Sequence, residues 1–526
     1  MPPTPSIRPQ GAEPPIRDRG DACPGALRLH SAADGRLARV RVPAGNLTVR
    51  QSEALADAAD RLGDGRLSLT SRGNVELRGL PDDCGTRLAA LLHDAGLLPS
   101  ERHERIRNIL ASPLAGLDRH TPSDVRLWAR ELDTVLCGSE SATALSGRFL
   151  FVLDDGRGDV ARLGGDVSLV AEGGGGPNRA ARPAGSGSTA LLRVGDDPTA
   201  LRIAGPDAPR AALTAAEAFL TAAGASGSGA WRVRELPDGH RLTARTVAER
   251  LRAAGIEAVC VDEGADAGGG AGVTGARPSV AHAAATPCAD SVPDPGSVPD
   301  PDSSVPDPDS SVPYADSSVP GVIEGRDGAR SLSVLAPLGR LSVAQWRLLT
   351  AVAAEDGDGT LRLTPWRGIV VPGLSADTAT ARLRELSAAG LIAAPDSPWR
   401  RIGACTGRPG CAKSLTDVRA DATAAVTAGT PVPAPGPGLA PNPGSHSGAS
   451  GQSATALRDL PVYWSGCERR CGHPHGAWVD VLATAEGYRV TVVRPETAPA
   501  PHQAPAAATV APAPPHTATT PTPASS

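Results

Sequence analysis

Large side chains are scarce in this sequence. Its 526 residues include 3 Phe, 3 Tyr, 7 Trp and 1 Met, so Ala, Val and Leu must pack the core. Lysine is nearly missing as well, with Lys413 alone against a background of Arg. The formal net charge is -5. That excludes a global basic field for nucleic acid, and leaves anion binding to local Arg clusters. No run approaches the roughly 20 apolar residues of a membrane span. Met1–Pro15 is Pro-rich and lacks an apolar stretch, so no signal peptide is expected and the chain reads as cytoplasmic. Nine Cys in a chain this long are no disulfide scaffold, and in a reducing compartment paired Cys more often hold metal.

The length allows two or three domains with proper cores. Residues 291–320, SVPDPGSVPDPDSSVPDPDSSVPYADSSVP, bury nothing that offsets the entropy of ordering them. Disorder is therefore expected over 1–19, over a linker at 263–321 and over the tail at 496–526. An N-terminal half spans 20–262, and a C-terminal half spans 322–495 with a low-complexity interruption at 430–455.

The two halves are copies. Residues 45–80 and 339–374 align without a gap at an offset of 294 and agree at 14 of 36 positions. Thr48 with Gln51, and Ser342 with Gln345, predict capping boxes at helix starts. Leu55, Ala58, Ala59 and Leu62 then share one helical face, as do Leu349, Val352 and Ala353 in the copy. A Gly-Asp-Gly turn follows in each (Gly63–Gly65, Gly357–Gly359). Two short strands come next, Leu67–Thr70 with Val75–Arg78 and Leu361–Thr364 with Gly368–Val371. A second helix ends at Ala95–Leu97 and Ala389–Leu391. Preceding strands at Leu37–Val42 and Ser331–Leu335 complete an internally duplicated α+β unit.

Beyond the second copy the chain reads Ala404-Cys405-Thr-Gly-Arg-Pro-Gly-Cys411, then Trp464-Ser-Gly-Cys467-Glu-Arg-Arg-Cys471-Gly-His-Pro. Four thiolates in two pairs suit a [4Fe–4S] cube, with one Cys per iron. Gly407, Gly410, Gly466 and Gly472 allow close backbone approach. Structural zinc more often shows gaps of two or four residues within its Cys pairs, so the gaps of five and three here fit it less well. Four unrelated buried thiols are the remaining alternative. In the first half, Arg72 follows a strand ending in Thr-Ser, where the copy has Trp366. Arg102, Arg105 and Arg107 crowd His103-Glu-Arg-Ile-Arg. Guanidinium forks pair bidentately with carboxylates; a solvated helix end is the bland reading, least so for Arg107.

The Cys-x5-Cys and Ser-Gly-Cys-x3-Cys-Gly motifs, with the duplicated halves, resemble the sulfite/nitrite reductase superfamily over nearly all the chain outside the low-complexity tracts. The resemblance implies duplicated ferredoxin-like α/β halves and a [4Fe–4S] cluster on Cys405, Cys411, Cys467 and Cys471. By position, Cys471 is the residue that bridges cluster to sirohaem in the reductases. Leu69-Thr70-Ser71-Arg72-Gly73-Asn74 and Arg107-Asn108-Ile109-Leu110 resemble segments whose Arg bind tetrapyrrole carboxylates or substrate.

Within that superfamily three segments look more like the precorrin-3B synthases of the oxygen-dependent cobalamin route. They are Cys23-Pro24-Gly25, the Ser112-Pro-Leu-Ala-Gly116 stretch, and Cys471-Gly-His473-Pro474. The reductases carry two Lys one residue apart where this chain has Arg148-Phe149-Leu150, which implies a lost charge in the pocket. The resemblance thus implies hydroxylation and lactone closure of precorrin-3A with dioxygen, with carboxylates held by Arg72, Arg107 and Arg148. It further implies a separate electron-donating reductase and a mononuclear non-haem iron, for which His473 and His475 are candidate ligands. A sirohaem-dependent nitrite or sulfite reductase is the second reading; a non-catalytic iron–sulfur or zinc protein is the third. Gly270–Gly275 matches a dinucleotide fingerprint but lacks the following helix that would hold pyrophosphate. Cys84, Cys137 and Cys260 read as small buried hydrophobes, and Cys288 as a linker thiol.

Overall fold

The two copies fold into one another. In the computed structural model, residues 21, 23–118, 123–172, 188–262, 318–325, 328–432, 460–474 and 476–494 are described. Residues 1–20, most of the 263–321 linker, 433–459 and the tail lie outside them, as do Gly270–Gly275, Cys288 and His475.

Both capping boxes form. The Gln51 N–H donates to Thr48 Oγ1 at 3.3 Å and the Thr48 N–H to Gln51 Oε1 at 3.0 Å; Ser342 and Gln345 repeat this at 3.2 and 3.0 Å. They open helices Val49–Leu62 and Val343–Glu355. The apolar residues expected on each helix face are all buried. What the sequence did not suggest is an exchange of strands. Asn46–Thr48 lies antiparallel to Thr360–Leu363, with Leu47 opposite Leu361; Arg340–Ser342 lies beside Arg66–Leu69, with Leu341 opposite Leu67. Each copy thereby completes the other's five-stranded sheet. The Trp346 indole N–H donates to the Ser52 carbonyl at 2.9 Å, tying the two capped helices together over one shared core.

A second body is a six-stranded sheet. Strands Ile109–Ala111, Phe151–Asp154 and Val167–Glu172 run parallel, and antiparallel strands continue it to Ala258–Asp262. Helices Arg126–Gly138, Ala208–Ser226 and Ala244–Ala253 pack on it, largely through alanine and leucine. A third is a four-stranded sheet, Ile402–Ala404, Val462–Ser465, Trp478–Thr484 and Gly487–Val493, backed by helix Val418–Thr427. Residues 20–262 and 322–495 therefore do not divide the cores between them: both build the first. Arg362, fully buried, crosses from the duplicated body to donate to the Pro113 and Ala115 carbonyls at 2.9 and 2.8 Å. The Ser-Pro-Leu-Ala-Gly stretch is thus anchored as a structural seam.

Of the thiols expected to be buried, Cys84 is; Cys137 and Cys260 are half-buried. No helix among the described residues is long and apolar enough to cross a membrane.

Candidate functional site

Two loops leave neighbouring parallel strands at the same level. Ile402–Ala404 pairs in register with Val462–Ser465, Ala404 beside Trp464, and the Cys405 N–H donates to the Trp464 carbonyl at 3.0 Å. Parallel pairing sends both chains out of the same sheet end, so Cys405 and Cys467 emerge side by side. Cys411 and Cys471 follow from the turns beyond, and all four line one cavity of about 510 Å³.

Glycines make that approach possible. A Cβ on Gly466 would stand 1.9 Å from Ser414 Oγ, and the Gly466 N–H instead donates to Cys405 Sγ at 3.2 Å. A Cβ on Gly410 would meet Thr406, Arg78 and Asp34 within 2.9 Å. Arg78 donates to the Gly410 carbonyl at 2.8 Å while paired with Asp34, so the first half clasps the thiol loop. Burial pushes the Cys405 thiol up, against the pull of the Gly466 and Gly407 N–H groups.

Four sulfurs at about 2.3 Å from one zinc ion sit within about 4 Å of one another. Among the described residues, one set of three potential ligands has all its donor atoms within 4.8 Å, namely Asp154, Asp155 and Asp159, and the four Cys do not form such a set. A cube takes one thiolate at each of four separate corners. The Asp set is committed to holding a turn. Asp154 accepts from the N–H groups of Gly156, Gly158, Val160 and Ala161, Asp155 pairs with Arg157, and Asp159 accepts from Ser112 Oγ.

A second cavity, about 500 Å³, is lined by Arg39, Arg41, Arg72, Arg148, Arg232 and Arg234, against the carboxylates of Asp21 and Glu235. Burial, then the Arg39 cation, lowers the Arg41 guanidinium to about 9; burial, then Arg232 and Arg39, lowers Arg72 to about 10. Arg41, Arg72 and Asn108 converge on the Gly147 carbonyl at 3.4, 3.5 and 2.5 Å. The Arg148 guanidinium lies 4.9 Å from the centre of the Trp231 ring, a cation–π contact that fixes its direction. Cys23 lines this cavity, its thiol pushed up by burial and then by Asp21.

One expectation is corrected here. Arg107 does not reach this cavity. It is buried, forks onto both oxygens of Asp133 at 2.7 Å and donates to the Leu97 carbonyl at 2.9 Å, so its donors serve the fold. Arg102 pairs with Glu140 at the surface, and Arg105 with Asp21. Leu150 lends the cavity no charge. Its side chain is buried with Leu110, Val152 and Val160, while Arg232 and Arg234, which sequence reasoning missed, bring cations in from a later turn. The bulky Trp231 beside them was the available signal.

A third cavity, about 710 Å³, shares Ser71 with the second. Trp366, Arg367, Trp399, Arg400, Arg401, Tyr463, Gly472 and His473 line it, and among its described lining residues there is no carboxylate. Tyr463 and Gly472 bring this cavity up against Cys471, because the Tyr463 hydroxyl donates to the Cys471 carbonyl at 2.6 Å. His473 stacks on Trp478 with ring centres 5.2 Å apart, and its Nδ1 lies 2.8 Å from the Pro474 carbonyl. That contact makes Nδ1 the donor. The described residues gather no second and third ligand around His473.

Residues 30–94 and 323–389 match the model of the nitrite/sulfite reductase ferredoxin-like half domain. The chain carries two such half domains. They are the two copies that exchange strands, and their turns at Thr70–Asn74 and Thr364–Gly368 both border Ser71 or its cavities. A precorrin-3B synthase from a Sinorhizobium species is 35% identical over 154 residues, 29% of this chain and 33% of that protein. A ferredoxin–nitrite reductase of Synechococcus elongatus is 34% identical over 127 residues, 23% of this chain and 25% of that protein. These matches span a third or less of the curated relatives' lengths. In fold, the chain is similar to the NirA protein of Mycobacterium tuberculosis, with a TM-score of 0.56 at 17% identity over 87% of this chain and 74% of that one.

Proposed function

We propose that the chain is an oxidoreductase of cobalamin synthesis that hydroxylates and lactonises precorrin-3A, as a precorrin-3B synthase does. The observation that carries this reading is the meeting, at Cys471, of a four-thiol cavity with an arginine-lined trough. The second and third cavities, about 500 and 710 Å³, share Ser71 as a lining residue, and a macrocycle spanning that residue would draw on both. Arg72 and Arg148 would hold ring carboxylates by charge-assisted bonds, and Trp231 keeps Arg148 aimed. Cys405, Cys411, Cys467 and Cys471 would hold a [4Fe–4S] cluster, which supplies single-electron transfer when bound. Dioxygen is the oxidant: one oxygen enters the substrate as a hydroxyl while a substrate carboxyl bonds the adjoining ring carbon to close the lactone and gives up its proton to that oxygen; the other oxygen leaves as water with two electrons from a separate reductase and two protons. The described residues form no set of ligands for a mononuclear iron at His473, and no step is assigned to such an iron.

A sirohaem-dependent nitrite or sulfite reductase is the second reading. The six arginines around the second cavity favour it, because they preserve a strongly cationic anion pocket. Gaps of five and three residues within the Cys pairs, where structural zinc more often has two or four, argue against a zinc-binding protein.

Protein purified without air, then given precorrin-3A, a reductant and isotopically labelled dioxygen, tests the proposal. One labelled oxygen in the product is expected, with iron and acid-labile sulfide present and no sirohaem absorption. Sirohaem bands with reduction of nitrite would replace this reading by the second.

A further inference from the structure

The turns Thr70–Asn74 and Thr364–Gly368 correspond at the 294-residue offset and share two backbone hydrogen bonds. The first residue's N–H donates to the fifth residue's carbonyl at 2.9 Å in both, and the fourth residue's N–H to the first residue's carbonyl at 3.1 Å in both. The fourth residue is left-handed in both, with φ of 66° and 61°. In the first copy it is Gly73; in the second it is Arg367. A side chain in that conformation crowds its own carbonyl, and ordinary residues held there tend to mark functional positions.

The surroundings make room for this side chain rather than relieve it. Its stem runs over Gly339, where a Cβ would come within 2.5 Å of Arg367 Cδ. Its Nη2 reaches to 4.0 Å from where a Cβ on Gly472 would stand, one residue past Cys471. The nearby charge is positive: burial, then the Arg340, Arg367 and Arg78 cations, lower Arg419 to about 10. No carboxylate among the described residues lines the cavity that Arg367 faces. Set against its backbone preference, the Arg367 guanidinium has the Tyr463 hydroxyl as a side-chain partner and no carboxylate in the cavity it faces.

We infer that Arg367 is an anion-binding residue of the third cavity, taking a carboxylate on the edge of a planar polycarboxylate ring opposite the edge held from the Arg72 side. This rests on the placement of the ring proposed above. It gives Arg367 a property that a structural arginine lacks: glycine in its place eases the backbone, as Gly73 shows, while removing the contact.

Uroporphyrin I, an octacarboxylate tetrapyrrole, is the probe, titrated into the full-length protein and followed by quenching of tryptophan fluorescence, to which Trp366 and Trp399 in the same cavity contribute. Arg367→Gly is expected to bind it about tenfold or more weakly, the loss of one charge-assisted fork. Without ligand the same variant should melt no lower than the parent, and up to about 2 °C higher. Arg367→Lys keeps the charge and should recover part of the affinity. Unchanged affinity in Arg367→Gly overturns the inference, as does weaker binding accompanied by a lower melting temperature. Arg72→Ala separates the two levels. If it weakens binding and Arg367→Gly does not, this inference falls and the ring site stands. If neither variant matters, or the parent protein does not bind the probe, both fall.

Discussion

The Tyr463 hydroxyl donates to the backbone carbonyl of Cys471 at 2.6 Å, joining the floor of the arginine-lined cavity to the last thiol of the cysteine set. Burial pushes the phenol up to about 12, so it stays a neutral donor over the working pH range. Tyr463→Phe keeps the ring and its edge-on contact with Trp478, whose centroid is 6.0 Å away, and removes the hydroxyl's bond to Cys471 together with its contact to Arg367. The expected cost is about 1 kcal/mol of local stability, felt as faster loss of bound iron to a chelator. Iron release at the parent rate would show that the bond does not hold the Cys471 loop.

Gly466 is the tightest point of the thiol loops. Gly466→Ala places a methyl where Ser414 Oγ already stands, 1.9 Å away, so the loop must open and iron content should fall sharply. Ser414→Gly in the same chain removes the obstruction, although it also removes the bond from Ser414 Oγ to the Thr416 carbonyl at 2.7 Å. Partial return of iron and sulfide in the double variant is expected. An Ala variant with full iron content would mean that the loop has slack the packing does not show.

The duplicated half domains were legible because their signals are local and repeated. A hydroxyl three residues before an amide, an apolar helix face and a Gly-Asp-Gly turn each act within one turn of chain. The exchange of Asn46–Thr48 for Arg340–Ser342 was not, since a three-residue strand carries no periodicity and its partner is fixed by tertiary packing. The cysteine pairs could be grouped by spacing, and parallel strands do bring them to one cavity. The arginines could not be sorted. Arg72 and Arg107 each stand close to a strand end, and what separates them is Asp133, on a helix that begins at Arg126, facing one and not the other.

That sorting predicts opposite responses from two chemically equal substitutions. Arg107→Met strips a buried partner from Asp133 and should cost about 3 kcal/mol in denaturant unfolding. Arg72→Met removes a cation lowered by burial and by two neighbouring arginines. It should therefore leave the ligand-free protein as stable as before, or slightly more stable. Melting curves of the two variants side by side are the measurement. Equal destabilisation would mean that Arg72, like Arg107, is a structural tie.

Strand exchange makes the two halves one folding unit. Leu47 and Leu341 are fully buried in the sheet of the opposite copy, and the Trp346 indole is bonded to Ser52 across the same interface. Cleavage at a protease site introduced within 291–317 should therefore leave two fragments that elute together and melt in a single transition, because each sheet needs a strand from the other fragment. Leu341→Ala, which empties a fully buried position, should lower stability by about 2–5 kcal/mol. Its effect should appear in both copies at once, as loss of amide protection in the strand Arg66–Leu69 as well as in the second half domain. Fragments that separate and each keep a cooperative melt would show that the exchanged strands decorate two independent domains.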